Sequence, residues 1–172
     1  MTDKEIGYIA GMIDADGCIG SQKNSKCRTY RPYVVIVQKN PVTLHWFQNK
    51  FGGSIMKVYR NHPSGKKQYF RWMAVNQKAV DMLKLCQDCL VEKKAQAILA
   101  IQMVEVTGCG KFRGKKLPDW IIEKQFEFHK SIGRLNSPAT TECVGSPCGE
   151  MRQSELTQME KRESESRRTL TA

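Results

Sequence analysis

In the stretch IGYIAGMIDADGCIG, residues 6–20, an apolar pattern of helical period runs into Asp14-Ala15-Asp16-Gly17. Carboxylates at a helix end are chemistry only if something gathers them, and the same stretch carries a means of gathering. Gly7 and Gly11 interrupt the helix, where each glycine costs roughly 1 kcal/mol relative to alanine. With Ala10 they form a patch of small residues that lets a second helix approach until the backbones touch. If that helix comes from another copy of the chain, a two-fold axis brings two Asp16 carboxylates and two negative helix ends to one place. Such groups repel, and divalent cations relieve the repulsion. Oxygen ligands with several retained waters suit Mg²⁺, and paired metals can activate water and stabilise the leaving oxygen in phosphodiester hydrolysis. Taken alone, a D-x-D at a helix end is more often a cap or a solvated turn, so the elements around it must decide.

Those elements read clearly. Thr2 with Glu5 makes a capping box for a first helix, whose positions Ile6, Ile9, Ala10 and Ile13 follow helical spacing until Gly17. Period two then predicts strands over Cys18–Lys23 and Tyr30–Gln38, with a polar, basic loop between them. NPVTLHWFQNKFGG reads as a short helix stopped by Gly52-Gly53. Strands near Ser54–Asn61 and Gln68–Asn76 follow, joined by turn chemistry at Pro63-Ser64-Gly65. QKAVDMLKLCQDCL places Ala79, Met82, Leu83, Cys86 and Leu90 on one helical stripe, EKKAQAILAIQMVEV is a further helix, and LPDWIIEKQFEFHKSIGRL is a last one entered through Pro118. The fold class is α+β. Its sheet should be antiparallel, with one face on helices and the other against something charged.

Charge identifies that something. Between Cys18 and Val80 there are 12 Lys and Arg and no Asp or Glu. A surface of one sign on that scale is the footprint of a polyanion. Residues 1–136 hold 23 basic against 11 acidic residues, a net +12, whereas residues 137–172 hold five basic and six acidic. The tail, rich in Ser, Thr, Glu and Arg, is expected to be disordered or loosely attached, giving domains of 1–136 and 137–172. No membrane span and no signal pattern is visible, and seven scattered cysteines suit a reducing compartment, so an intracellular or organellar location is expected. Cys86 and Cys89 resemble half of a zinc site, but Cys86 lies on an apolar helical stripe, where a free cysteine packs as a small hydrophobe. His45, His62 and His129 are dispersed and make no catalytic pair.

The segment IAGMIDADG, residues 9–17, resembles the signature of the LAGLIDADG homing endonucleases at seven of nine positions, with apolar changes at the other two. The order helix–strand–strand–helix–strand–strand–helix is similar to the family core, and VEKKAQAIL resembles its downstream segment. The resemblance spans about Thr2 to Val106, more loosely to Asn136. It implies a core with an antiparallel, saddle-shaped DNA-binding sheet and extra C-terminal helices. It assigns Asp16 as the catalytic metal ligand, joined by the carbonyl of Ala15, with Asp14 shaping the helix end. It also implies Lys93 near the scissile phosphate and Gln38 ordering active-site water, with Asn40 as the alternative to Gln38. The cofactor would be Mg²⁺, with Mn²⁺ or Ca²⁺ able to occupy the same site.

The sheet's open face would lie in the DNA major groove. Alternation suggests Gln22, Asn24, Lys57, Tyr59, Gln68 and Arg71 as contacts, with Arg28 and Arg31 next. One copy of the motif implies a homodimer through Gly7, Ala10 and Gly11. The expected activity is cleavage of both strands of a long pseudo-palindromic duplex, leaving short 3′ overhangs, in the service of an intron that encodes the chain. The alternative is an RNA-binding maturase that helps such an intron to splice.

Overall fold

A computed structural model describes residues 1–24, 29–63, 65–107, 112 and 117–137 of the chain. The elements run α1 (Asp3–Asp16), β1 (Gly17–Asn24), β2 (Thr29–Gln38), α2 (Val42–Phe51), β3 (Ser54–His62), β4 (Gly65–Val75), α3 (Gln77–Cys86), α4 (Lys94–Thr107) and α5 (Asp119–Asn136). A 3-10 turn at Gln87–Cys89 links α3 to the approach of α4. The expected order of elements is present, in an α+β fold.

The capping box forms as the sequence suggests: the Thr2 hydroxyl accepts the Glu5 N–H at 3.3 Å and Glu5 accepts the Thr2 N–H at 2.9 Å. The four strands pair antiparallel in the order β1-β2-β4-β3. Alternate residues of the two central strands, Val34 and Ile36 with Trp72 and Ala74, are buried beneath the helices together with Ile19 of β1. Ile9, Ala10 and Ile13 of α1, Leu44 and Phe47 of α2, the stripe Ala79, Met82, Leu83, Cys86 and Leu90, Ala97, Ala100 and Met103 of α4, and Ile132 of α5 belong to the same core. Trp72 anchors the turn between α2 and β3, since its indole N–H donates to the Gly52 carbonyl at 2.9 Å. Gly53 there has φ +89°, and a Cβ would come within 2.6 Å of the Met73 carbonyl, so only glycine fits.

Helix α5 secures the β1–β2 side. Gln125, buried, accepts the Tyr30 N–H at 3.0 Å and donates to Thr107, and Asn136 donates to the carbonyl of Ile19 at 2.8 Å. Most boundaries fall within a residue or two of expectation, and two differ by more. Strand β4 begins at Gly65 rather than near Gln68, because β3 and β4 stay paired down to His62 opposite Gly65. The Cys86–Leu90 stretch leaves the α-helix at Cys86, although its apolar stripe remains buried. The tail from Pro138 onward lies outside the described residues. Among the described residues no helix is long and apolar enough to cross a membrane.

Candidate active site and nucleic-acid interface

The C-terminus of α1 is where the chemistry collects. The last carbonyls of a helix have no partner within it and carry the negative end of its dipole. The last turn of α1 contains no basic residue, and the cation comes from far along the chain. The Lys93 ammonium donates to the carbonyls of Ile13 at 2.8 Å and Asp14 at 2.5 Å. Asp14 answers in the opposite direction: its carboxylate accepts the N–H of Val91 at 2.8 Å and of Lys93 at 3.0 Å. Four hydrogen bonds thus join the end of α1 to the segment ahead of α4. Asp14 is spent on holding Lys93.

Asp16 is left for other work. It is exposed, and one carboxylate oxygen accepts the Gln38 side-chain amide at 2.7 Å. Asn40, the alternative to Gln38, instead accepts the Val42 N–H at 3.1 Å at the entry to α2. The structure therefore brings Asp16, Gln38 and Lys93 together around one helix end, with Ala15 exposed between the two aspartates. Gly17 makes the turn tight enough for β1 to leave at once: its N–H donates to the Ile13 carbonyl, and a Cβ would sit 2.7 Å from the Ile13 backbone.

Asp16 and the helix-end carbonyl of Ala15 are hard oxygen donors of the type Mg²⁺ accepts. Among the described residues no three His, Cys, Asp or Glu side chains converge to hold a metal. The donor set fits such a cation in kind and falls short in number, which a second copy and a phosphate oxygen could supply.

Of the three residues expected at a dimer face, two lie open. A Cβ added at Gly7 or Gly11 would meet nothing within 4 Å, and both are exposed. Ala10 is a correction: it is only 2% exposed and belongs to the chain's own core, because it shares the buried stripe of Ile9 and Ile13. Tyr8 takes its place beside the glycines, 47% exposed and edge-on to Trp46 of α2 at 5.7 Å.

The strand register sorts the expected nucleic-acid contacts. On the sheet face away from the helices lie Gln22 and Asn24 of β1, Arg31 of β2 and Arg71 of β4. Lys57, Tyr59 and Gln68 are exposed but share the parity of buried Trp72, so they belong to the other face. Grouping them with Arg71 is corrected by geometry, since residues three apart on a regular strand point to opposite sides. Arg28 lies outside the described residues. The face instead gains Tyr33, Arg60, Lys67 and Tyr69, with Arg60 stacked over Tyr69 at 5.5 Å. Counting parity outward from Trp72 and Ala74 would have found them. Burial, then the neighbouring Cys18, pushes the Tyr33 phenol up from its usual range, keeping it a neutral hydrogen-bonding group.

Zinc finds no support at Cys86, a buried thiol that donates to the Met82 carbonyl at 3.3 Å and is pushed up to about 12, chiefly by burial.

No family model and no curated protein sequence matches the chain. Solved structures do match it. The homing endonuclease I-CvuI in complex with the I-CreI target in the presence of Mg superposes with a TM-score of 0.57 at 22% identity, covering 81% of this chain and 86% of that one. The archaeal intron-encoded homing endonuclease I-Vdi141I, complexed with DNA, gives 0.60 at 18% identity over 82% and 89%. The LAGLIDADG homing endonuclease I-SmaMI, bound to cleaved DNA, gives 0.53 at 18% identity over 89% of this chain but 48% of its own. The described part of the chain therefore has the fold of the LAGLIDADG homing endonucleases.

Proposed function

We propose that the protein is a site-specific homing DNA endonuclease that acts as a homodimer, uses a divalent metal, and cuts both strands of a long pseudo-palindromic duplex to leave short 3′ overhangs. The observation that carries this reading is Asp16, exposed at the end of α1, held by Gln38 and flanked by Lys93, at the margin of a sheet face with no acidic residue on it. A fold shared with proteins solved on DNA supports the duplex as substrate. A match to only about half of I-SmaMI supports two copies of this chain where a longer chain would carry both halves. Intron encoding is part of the same proposal and rests on the same likeness.

The geometry supports a division of labour within this reading. Asp16 and the Ala15 carbonyl would hold the cation, which supplies charge neutralisation and a more acidic water at the scissile phosphate. Gln38 fixes the Asp16 carboxylate and has an amide oxygen left to orient water. Lys93 offsets the negative end of α1, so that a polyanion can approach a place that already holds two aspartates. In the hydrolysis itself water forms the new P–O bond, one bridging P–O bond breaks, and the departing oxygen is protonated. Gly7 and Gly11, open on the surface of α1, provide the close contact that brings two such sites together.

Asp16→Asn tests the assignment. The variant should bind duplex DNA within a few-fold of the parent while Mg²⁺-dependent cutting falls by at least about a thousandfold, as expected when a group essential to the chemistry is removed. Persistent cutting would remove Asp16 from the mechanism.

A further inference from the structure

The open face of the sheet is not uniformly polar. Read across the register, its middle consists of Val35 and Val37 of β2, Met73 and Val75 of β4, and Met56 and Val58 of β3. None is buried, and Met56 and Val75 are 41% and 37% exposed. Cations frame this belt at both ends, Arg31 beyond Tyr33 and, in the other direction, Arg60 opposite Lys67. The belt lies level with Asp16, because Gly17 pairs with Ile36 and Gln38 bonds the Asp16 carboxylate. One cation stands inside it. Arg71 has a buried Nε with no hydrogen-bond partner and turns Nη2 towards the Met56 sulfur, a weak acceptor.

An apolar belt inside a cationic frame matches the major groove, where phosphates form the rims and the only apolar group on the base edges is the thymine methyl. A protein partner would meet an under-satisfied arginine in the belt and an acid-free frame from Cys18 to Val80. A base edge offers the outward Nη groups of Arg71 acceptors stronger than the Met56 sulfur. Resting on the reading of the chain as a DNA endonuclease, we infer that this belt reads thymine methyl groups at the base pairs next to the cleavage positions. The polar end of the β1–β2 hairpin, with Gln22, Asn24 and Arg31, reads pairs farther out by hydrogen bonds. Specificity near the cut is then set by apolar contact, and the inner part of each half-site is rich in A·T pairs.

The test changes the DNA and leaves the protein intact. The full chain, with Ca²⁺ to hold DNA uncut, is used to retain duplexes from a pool randomised over the whole footprint, and positions are ranked from the footprint's centre. Retained duplexes should carry thymine on one strand or the other at the inner positions. Remaking one with deoxyuridine in place of each inner thymidine removes only the methyl, and should weaken binding by roughly fourfold per methyl, the worth of one buried carbon. The same exchange at the outer positions should leave affinity unchanged. Retained duplexes without inner thymine, or inner deoxyuridine bound as well as thymidine, would overturn the belt's role and leave the endonuclease reading standing. A pool from which no duplex is retained would overturn both.

Discussion

At the residue scale the two aspartates of one short motif have been separated by what each touches. Asp14 spends its carboxylate on two backbone N–H groups, those of Val91 and Lys93. Asp14→Ala would leave these donors without their acceptor and let Lys93 drift from the end of α1. Loss of such hydrogen bonds costs roughly 1–3 kcal/mol, and we expect a fall of that size in urea-unfolding stability, together with slower cutting. Asp14→Asn, which keeps one acceptor oxygen, should fall between the two. If Asp14→Ala instead cut normally and lost only affinity for metal, Asp14 would be a ligand and the clamp a side effect. Cys86 gives a second check. Burial pushes its thiol up from the ordinary value of 9.0 to about 12 in the folded chain. Because Cys18 and Cys89 are exposed and Cys86 is buried, an alkylating reagent at pH 8 should modify the first two well before Cys86, which should react only on unfolding, as peptide mapping by mass spectrometry can follow. The linkage has a definite sign. The pKa is higher in the folded state, so the contribution is complete below pH 9 and is lost as pH rises from there towards about 12.

At the scale of elements, α1 serves its own chain on one face and is open on the other. Because nothing lies within 4 Å of a Cβ at Gly7 or Gly11, alanine there should stabilise the single chain by roughly 1 kcal/mol at each position. The same methyls would hold two α1 helices apart. Gly7→Ala/Gly11→Ala should thus raise the thermal midpoint measured at low protein concentration while weakening self-association in sedimentation. Gains in both, or losses in both, would place the dimer contact elsewhere. Much of this architecture was legible in the sequence: the Thr2–Glu5 box, the glycine at 17 and the stripe from Ala79 to Leu90 are local signals, and the structure follows them. Strand facing was not. Trp72 fixes which parity is buried, but the opposite parity of the same strand is also apolar at Met73 and Val75, and that ambiguity carried Gln68, Tyr59 and Lys57 to the wrong side. Ala10 misled for a related reason, since a small residue suits a tight core as well as a helix crossing. The Asp14–Lys93 clamp joins residues 79 apart in the chain, and no local pattern announces a contact of that range.

At the scale of the whole molecule, charge and symmetry can be measured together. Binding to duplex DNA that releases counterions falls with salt, with a slope of log K against log salt near −0.9 for each phosphate neutralised. The open face of each chain presents Arg31, Arg60 and Lys67 at the ends of its apolar belt, and no acid opposes them. If each of the three meets one phosphate, a pair of chains should show a slope of at least roughly −5 from these alone. One substitution then counts the copies. Lys67→Ala removes one cation per chain, so the slope should become shallower by roughly 1.8 if two chains share the duplex and by only about 0.9 if one chain binds alone. Lys67 is exposed, near the tip of the β3–β4 hairpin and away from the core, so the variant should keep its fold and any change in slope can be assigned to the lost charge. A shift of one phosphate would mean a single chain on the DNA. Asp16 would then have no twin, and the two-strand cut would need another source for its second site.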